Sequence, residues 1–219
     1  MHLVIISGAS RPQPKSNTAK IIDAFRRGFE EGGNSVEVFY LSDRRQWKSA
    51  ADAFYRNEHI LIALPLYVES IPGTLLEFLS ALAIKTRPGT KLAFLLQGGF
   101  PEASQSRCCE AYLETLPAQL GCEYAGTLIK GDMFGVGLVN EKAQRKMLAP
   151  FTEMGRYFAN TGSFEKSVVD EFAAPEYISE RKIRFNRLMQ PIFNLIKRYI
   201  AKKLGCTGKL DARPFTDGR

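Results

Sequence analysis

The chain has no uninterrupted apolar run approaching the ~18 residues that a membrane span requires. It also lacks a C-x-x-C pair. Its four cysteines, Cys108, Cys109, Cys122 and Cys206, form no paired framework, so reduced thiols in a cytoplasmic protein are expected. The adjacent Cys108 and Cys109 fall in a helical pattern and read as structural thiols. His2 and His59 are the only histidines and neither has ligand spacing around it, which argues against zinc. The first residues turn into a strand pattern too soon for a cleaved secretory signal. The phosphate loop of nucleoside triphosphatases is missing as well. GASRPQPKSNT (8–18) approximates G-x-x-x-x-G-K-[ST], but Pro14 precedes Lys15. Such a loop holds phosphate with consecutive backbone N–H groups, and proline has none.

What is present is a 219-residue chain, 45% hydrophobic and 24% charged, enough for one globular domain and an appendage. The net charge of +7 is unevenly placed. From residue 161 onward twelve Lys/Arg stand against seven Asp/Glu, a surplus of five. Basicity therefore belongs mainly to the C-terminal piece.

Short apolar runs alternate with helical periods. Strands are expected at 3–7, 35–40, 59–65, 91–97 and 122–129, and helices at about 17–31, 46–55, 72–84, 103–120 and 141–160. Continuous apolar strands such as LIAL imply burial on both faces of a parallel sheet. Ser16 or Asn17 suits the cap of the first helix, Gly32-Gly33 its end, and Pro72 the first turn of the third. The expected fold is a doubly wound α/β sandwich of five parallel strands, taken in the order 2-1-3-4-5, with a helical C-terminal extension. The division is expected as 1–160 and 161–219. Ligands of such sheets sit at the carboxyl ends of the strands.

Three segments leave those ends. The first carries Ser10, Arg11, Lys15, Ser16, Asn17 and Thr18 at a helix N-terminus, where free N–H groups and the helix dipole favour phosphate; plain capping is the bland alternative. The second, Pro65-Leu66-Tyr67-Val68, offers apolar and aromatic surface, or merely a tyrosine packed on the sheet edge. The third, Gln97-Gly98-Gly99-Phe100-Pro101-Glu102, lets backbone approach a flat ligand, or is an ordinary turn. Together they suit a mononucleotide bearing a large planar ring.

Here the chain resembles a known family. GASRPQPKSNTAKII is similar to the G-S-x-R…S-N-T phosphate loop of flavodoxin-like NAD(P)H-dependent FMN reductases. LPLYVESIPGTLLEFL resembles their P-x-Y…P-G-x-L-K-x-F-x-D segment, and LLQGGFPE their glycine-rich turn. The resemblance spans roughly residues 1–160. The family's Lys and Asp in the second motif are here Leu76 and Ser80, the G-S spacing holds one more residue, and SDRRQWKSAADAFYRNE has no cysteine for the cluster of related iron–sulfur flavoproteins.

The resemblance implies bound FMN, with Ser10, Arg11, Ser16, Asn17 and Thr18 at the phosphate. Pro65, Leu66, Tyr67 and Val68 would then line the ring, and Gly98, Gly99 and Phe100 its other edge. It implies NAD(P)H as hydride donor, a small acceptor such as a quinone, a flavin, an azo or nitro compound or a metal ion, and a homodimer. No side-chain acid–base pair is required, because the ring carries the chemistry. Two other classes stay open: a flavodoxin-type electron carrier, which a basic chain fits poorly, and a non-catalytic scaffold. In PEYISERKIRFNRLMQPIFNLIKRYIAKKLG, apolar residues recur at helical spacing with Lys and Arg between them, and Pro191 divides or kinks the segment. Packing on the core or a sister subunit is one reading. Weak docking to an anionic membrane or an acidic partner is the other. Nucleic acid is not expected, since no reading module is present.

Overall fold

The computed structural model describes residues 1–84 and 88–208; the last eleven residues of the expected extension lie outside these. Five strands form one all-parallel sheet: β1 (His2–Ser7), β2 (Ser35–Tyr40), β3 (His59–Pro65), β4 (Lys91–Gln97) and β5 (Glu123–Lys130). Their order is β2-β1-β3-β4-β5, the order expected for this chain. In-register pairs such as Ile6 with Ile62 and Ile62 with Phe94 bring the carboxyl ends of β1, β3 and β4 level.

Helices α1 (Asn17–Glu30), α2 (Trp47–Arg56), α3 (Gly73–Ser80), α4 (Arg107–Gln119) and α5 (Glu141–Thr161) connect or follow the strands. Alternate strand residues feed two cores. Val4, Ile6, Ile60, Ile62 and Phe94 meet Phe54, Leu75, Phe78 and Leu113 from α2, α3 and α4. Leu3, Ile5, Leu61, Ala93 and Leu95 meet Ile22, Phe25, Phe29, Phe151 and Phe158 from α1 and α5. Burial on both faces accounts for the continuous apolar strands.

Helix ends show where local chemistry overrides periodicity. The third helix stops at Ser80 rather than 84. The Tyr55 hydroxyl accepts from Ala83 N–H at 2.7 Å and donates to Ala83 O at 3.3 Å, taking the peptide groups a further turn would use. Pro72 is the residue before α3, not within its first turn. The fourth helix begins with a 3₁₀ turn, Ala103–Ser106, whose leading N–H groups, of Ala103 and Ser104, go to Pro175 O and Glu176 O. Gly162, at φ 65°, closes α5 in the left-handed conformation that favours glycine.

The first compact unit ends at Tyr177, and the division expected after residue 160 falls inside it. The reason is α6 (Lys166–Ala173). Phe164, Val169 and Phe172 complete the second core, and Phe164 N–H satisfies the outer carbonyl of Ala125 on β5 at 2.8 Å. A second unit starts at Ile178. It contains α7 (Glu180–Leu188), capped by Ser179, and α8 (Gln190–Lys203), with Pro191 in its first turn. The proline divides the segment into two helices, at the position the sequence marks.

Candidate functional site

A cavity of about 290 Å³ opens at the carboxyl ends of β1, β3 and β4, lined by Ala9, Arg11, Ser16, Asn17, Thr18, Pro65, Leu66, Tyr67, Gln97, Gly99 and Phe134. One end is polar. Ser16 is the N-cap of α1, its Oγ accepting from Ala19 N–H at 3.3 Å. The N–H groups of Asn17 and Thr18, in the first turn, have no partner among the described residues. No acidic side chain occupies that turn. Ser16 and Thr18 are buried, so their hydroxyls are held rather than waving in solvent.

Charge at this end comes from Arg11. The nearby Arg44 is engaged by Glu77 at 2.6 Å and Arg45 by Asp43 at 2.9 Å. Hydrogen bonds from the Arg45 side chain and backbone hold the Asp43 carboxyl at about 2.

The other end is apolar, and its loops are tied together by backbone bonds. Leu66 N–H donates to Gln97 O at 2.8 Å, Gly98 N–H to Lys130 O and Met133 N–H to Gly98 O, both at 2.9 Å. Tyr67 and Ser70 exchange two backbone bonds around a two-residue turn. Val68 and Glu69 there have φ of 49° and 62°, the pair of left-handed residues that tight hairpins require and usually fill with Asn-Gly. A β-branched valine in that region is strained. Val68 is also 98% exposed.

The structure gathers eight of the twelve sequence-selected residues on this wall: Arg11, Ser16, Asn17, Thr18, Pro65, Leu66, Tyr67 and Gly99. Four lie off it. Ser10 turns to Thr74, their hydroxyls 3.3 Å apart. Val68 projects from the hairpin tip. Phe100 is 67% exposed, with its carbonyl accepting from Asp132 N–H. Gly98 has its N–H taken by Lys130. In the second and third loops, the N–H groups of Leu66 and Gly98 reach across to Gln97 O and Lys130 O, and that of Tyr67 closes its own hairpin on Ser70 O. Gly99 N–H has no partner among the described residues.

Asn17 lines the cavity, but its amide group donates to Met133 O at 3.0 Å and Phe134 O at 3.1 Å. It thereby pins the loop after β5 to the start of α1. Ala9, Gln97 and Phe134 were not singled out by sequence reasoning. Gln97 stands at the end of β4, with Nε2 3.5 Å from Thr18 Oγ1. Phe134 belongs to KGDMFGVG, which follows the fifth strand. Applying the strand-end rule to β5 as well as to β1, β3 and β4 finds it.

No protein-family model matches the chain, and no curated protein matches it in sequence. Solved structures do match in fold. An FMN-dependent NADH-azoreductase from Bacillus anthracis, in complex with FMN, is 13% identical with a TM-score of 0.56, over 75% of this chain and 100% of that one. An NAD(P)H:quinone oxidoreductase from Methanothermobacter marburgensis is 18% identical at 0.58, over 75% and 98%. The apo form of an NADH:FMN oxidoreductase is 18% identical at 0.55, over 80% and 96%. At these identities the likeness establishes the shared flavodoxin-like architecture.

Proposed function

We propose that this chain is an FMN-dependent oxidoreductase that takes hydride from NAD(P)H and passes electrons to a small acceptor such as a quinone or an azo compound. One observation carries the reading. The N-terminus of α1, with an acid-free first turn and the buried hydroxyls of Ser16 and Thr18, opens into the same cavity as Pro65, Leu66, Tyr67, Gly99 and Phe134. A phosphate monoester fits the first set of groups, and a planar ring fits the second. An added Cβ at Gly99 would lie 3.7 Å from Phe134 Cβ; it would clash with nothing, but it would take up space on the cavity wall.

FMN, when bound, supplies two-electron chemistry between donor and acceptor. The chain's part is placement. Ser16 Oγ, Thr18 Oγ1, the first N–H groups of α1 and Arg11 would hold the phosphate. Leu66, Tyr67 and Phe134 would border the ring and exclude water, and Gly99 N–H would face its polar edge. Tyr67 and Phe134 line the cavity yet stay partly exposed, an apolar border that favours a planar aromatic acceptor and gives a sister subunit in a homodimer a surface to cover.

The test is the absorbance spectrum of purified protein after addition of FMN, followed by oxidation of NADH and of NADPH with a quinone present. A bound-flavin spectrum with turnover is expected. Ser16→Asp keeps a good helix cap yet sets negative charge against the phosphate. It should weaken FMN at least tenfold, about 1.4 kcal/mol. Flavin binding without nicotinamide oxidation would make the chain an electron carrier, and no flavin binding would make it a scaffold; either result defeats the proposal.

A further inference from the structure

The second unit has an unusual charge balance. Among residues 178–208, eight Lys/Arg face a single acid, Glu180. No residue of α7 or α8 is buried. On α8, Ile192, Leu195, Ile196 and Tyr199 follow the i, i+3, i+4, i+7 spacing of one helix face, and they are 47–68% exposed. At 100° per residue, Arg198 and Lys202 flank that stripe and Lys203 continues it in the last turn, where a long stem can lie along apolar surface with its ammonium in water. Ile183, Phe185 and Leu188 of α7 are exposed too. No helix among the described residues is long and apolar enough to cross a membrane. A helix of 14 residues is about 21 Å long, a length suited to lying within an interface.

We propose that α8, with the basic residues of α7, docks this protein reversibly on an anionic lipid surface, the apolar stripe entering the acyl boundary and the Lys and Arg side chains meeting the headgroups. Charge complementarity selects the occupant. A second copy would bring eight cations against eight cations, which opposes self-association through this face. An anionic leaflet attracts each of them, and a broad stripe of Ile, Leu and Tyr needs no shaped partner when the acceptor is fluid.

The experiment is co-sedimentation of the full chain with vesicles of phosphatidylcholine containing about one third phosphatidylserine, against vesicles of phosphatidylcholine alone. Binding to the anionic vesicles only is expected, weakening as salt is raised through the range that shortens the screening length to a few ångströms. Two variants separate the contributions. K197Q/R198Q/K202Q/K203Q removes charge, and L195Q/I196Q breaks the stripe. Each should lower partitioning at least about tenfold, and because none of these side chains is buried, the fold and any flavin spectrum should survive.

Absence of binding to anionic vesicles at low salt overturns the proposal, as does undiminished binding of either variant. So does a chain that ignores vesicles while L195Q/I196Q dissociates an oligomer or releases an acidic protein partner, since the stripe is then covered by protein. The inference does not depend on the flavin reading, whose failure would appear in the spectrum and not in the sedimentation.

Discussion

Asn17 shows how a motif residue can change its role once folded. Its place in S-N-T marks it for phosphate, yet both amide hydrogens serve carbonyls 116 and 117 positions away. Each such bond contributes roughly 0.5–1.5 kcal/mol, so Asn17→Ala should cost about 1–2 kcal/mol in urea denaturation. Gly137 provides the cross-check. A Cβ there would lie 2.8 Å from Asn17 Oδ1, dislodging an amide anchored by two bonds. Gly137→Ala should therefore destabilise the parent by a comparable amount. In an Asn17→Ala background it should be neutral or stabilising by up to about 1 kcal/mol, because alanine restricts the unfolded chain. Additive costs across the four proteins of this cycle would show that the two residues are not coupled. Ser16, by contrast, is one of the two cap candidates visible before folding: its cap on Ala19 is local, and local hydrogen bonds follow from residue type and position.

At the scale of elements, α1 and α5 meet backbone to backbone. A Cβ on Gly28 would lie 1.9 Å from Thr152 O, and one on Gly155 would lie 2.0 Å from Phe25 O. Thr152 Oγ1 adds a hydrogen bond to Ala24 O at 3.0 Å. Helix propensity alone says that Gly155→Ala gains about 1 kcal/mol. Overpacking typically costs 1–3 kcal/mol, and a backbone carbonyl has little room to yield, so the cost is placed at the upper end. The expected result is a net loss of about 1–2 kcal/mol, or roughly 2–8 °C in Tm. Gly73→Ala, where an added Cβ meets nothing within 4 Å, should be neutral or mildly stabilising. A Gly155→Ala protein that melts no lower than its parent would refute the close crossing. The apolar faces of both helices are readable from periodicity. The crossing point is not, because a glycine inside a helix looks the same in sequence whether it faces a neighbour or water.

For the whole molecule, the first unit should stand without the second. A chain ending at Tyr177 keeps α6 and every residue of both cores, and is expected to melt cooperatively with parental helix content. A chain ending at residue 160 loses Phe164, Val169 and Phe172. At about 1.5–3 kcal/mol each, their burial is worth roughly 5–9 kcal/mol, against a total stability on the order of 5–15 kcal/mol. It also bares Ala125 O and takes the Phe172 carbonyl from Lys130 Nζ, now at 2.6 Å. Circular dichroism should find the shorter chain unfolded or aggregated. A cooperative melt from it would show that α6 is dispensable. Thr161 is a natural place to cut by eye because the long helix ends there and basic residues follow, yet charge composition carries no information about what seals the edge of β5.

The sequence by itself determined the strands, the doubly wound class of the sheet, Ser16 or Asn17 as the cap of α1, and which loops leave the carboxyl ends of β1, β3 and β4. Those features depend on short-range periodicity and on topological rules that hold for any parallel sheet. Tertiary structure decided what depends on contacts between distant segments. It brought Phe134 to the cavity and turned Asn17 toward the loop after β5. It spent the N–H groups of Leu66 and Gly98 on joining loops, and it assigned α6 to the core. The physical reason is the same in each case: a backbone polar group or an apolar side chain is committed by whichever neighbour the fold delivers, and for these residues that neighbour is far away along the chain.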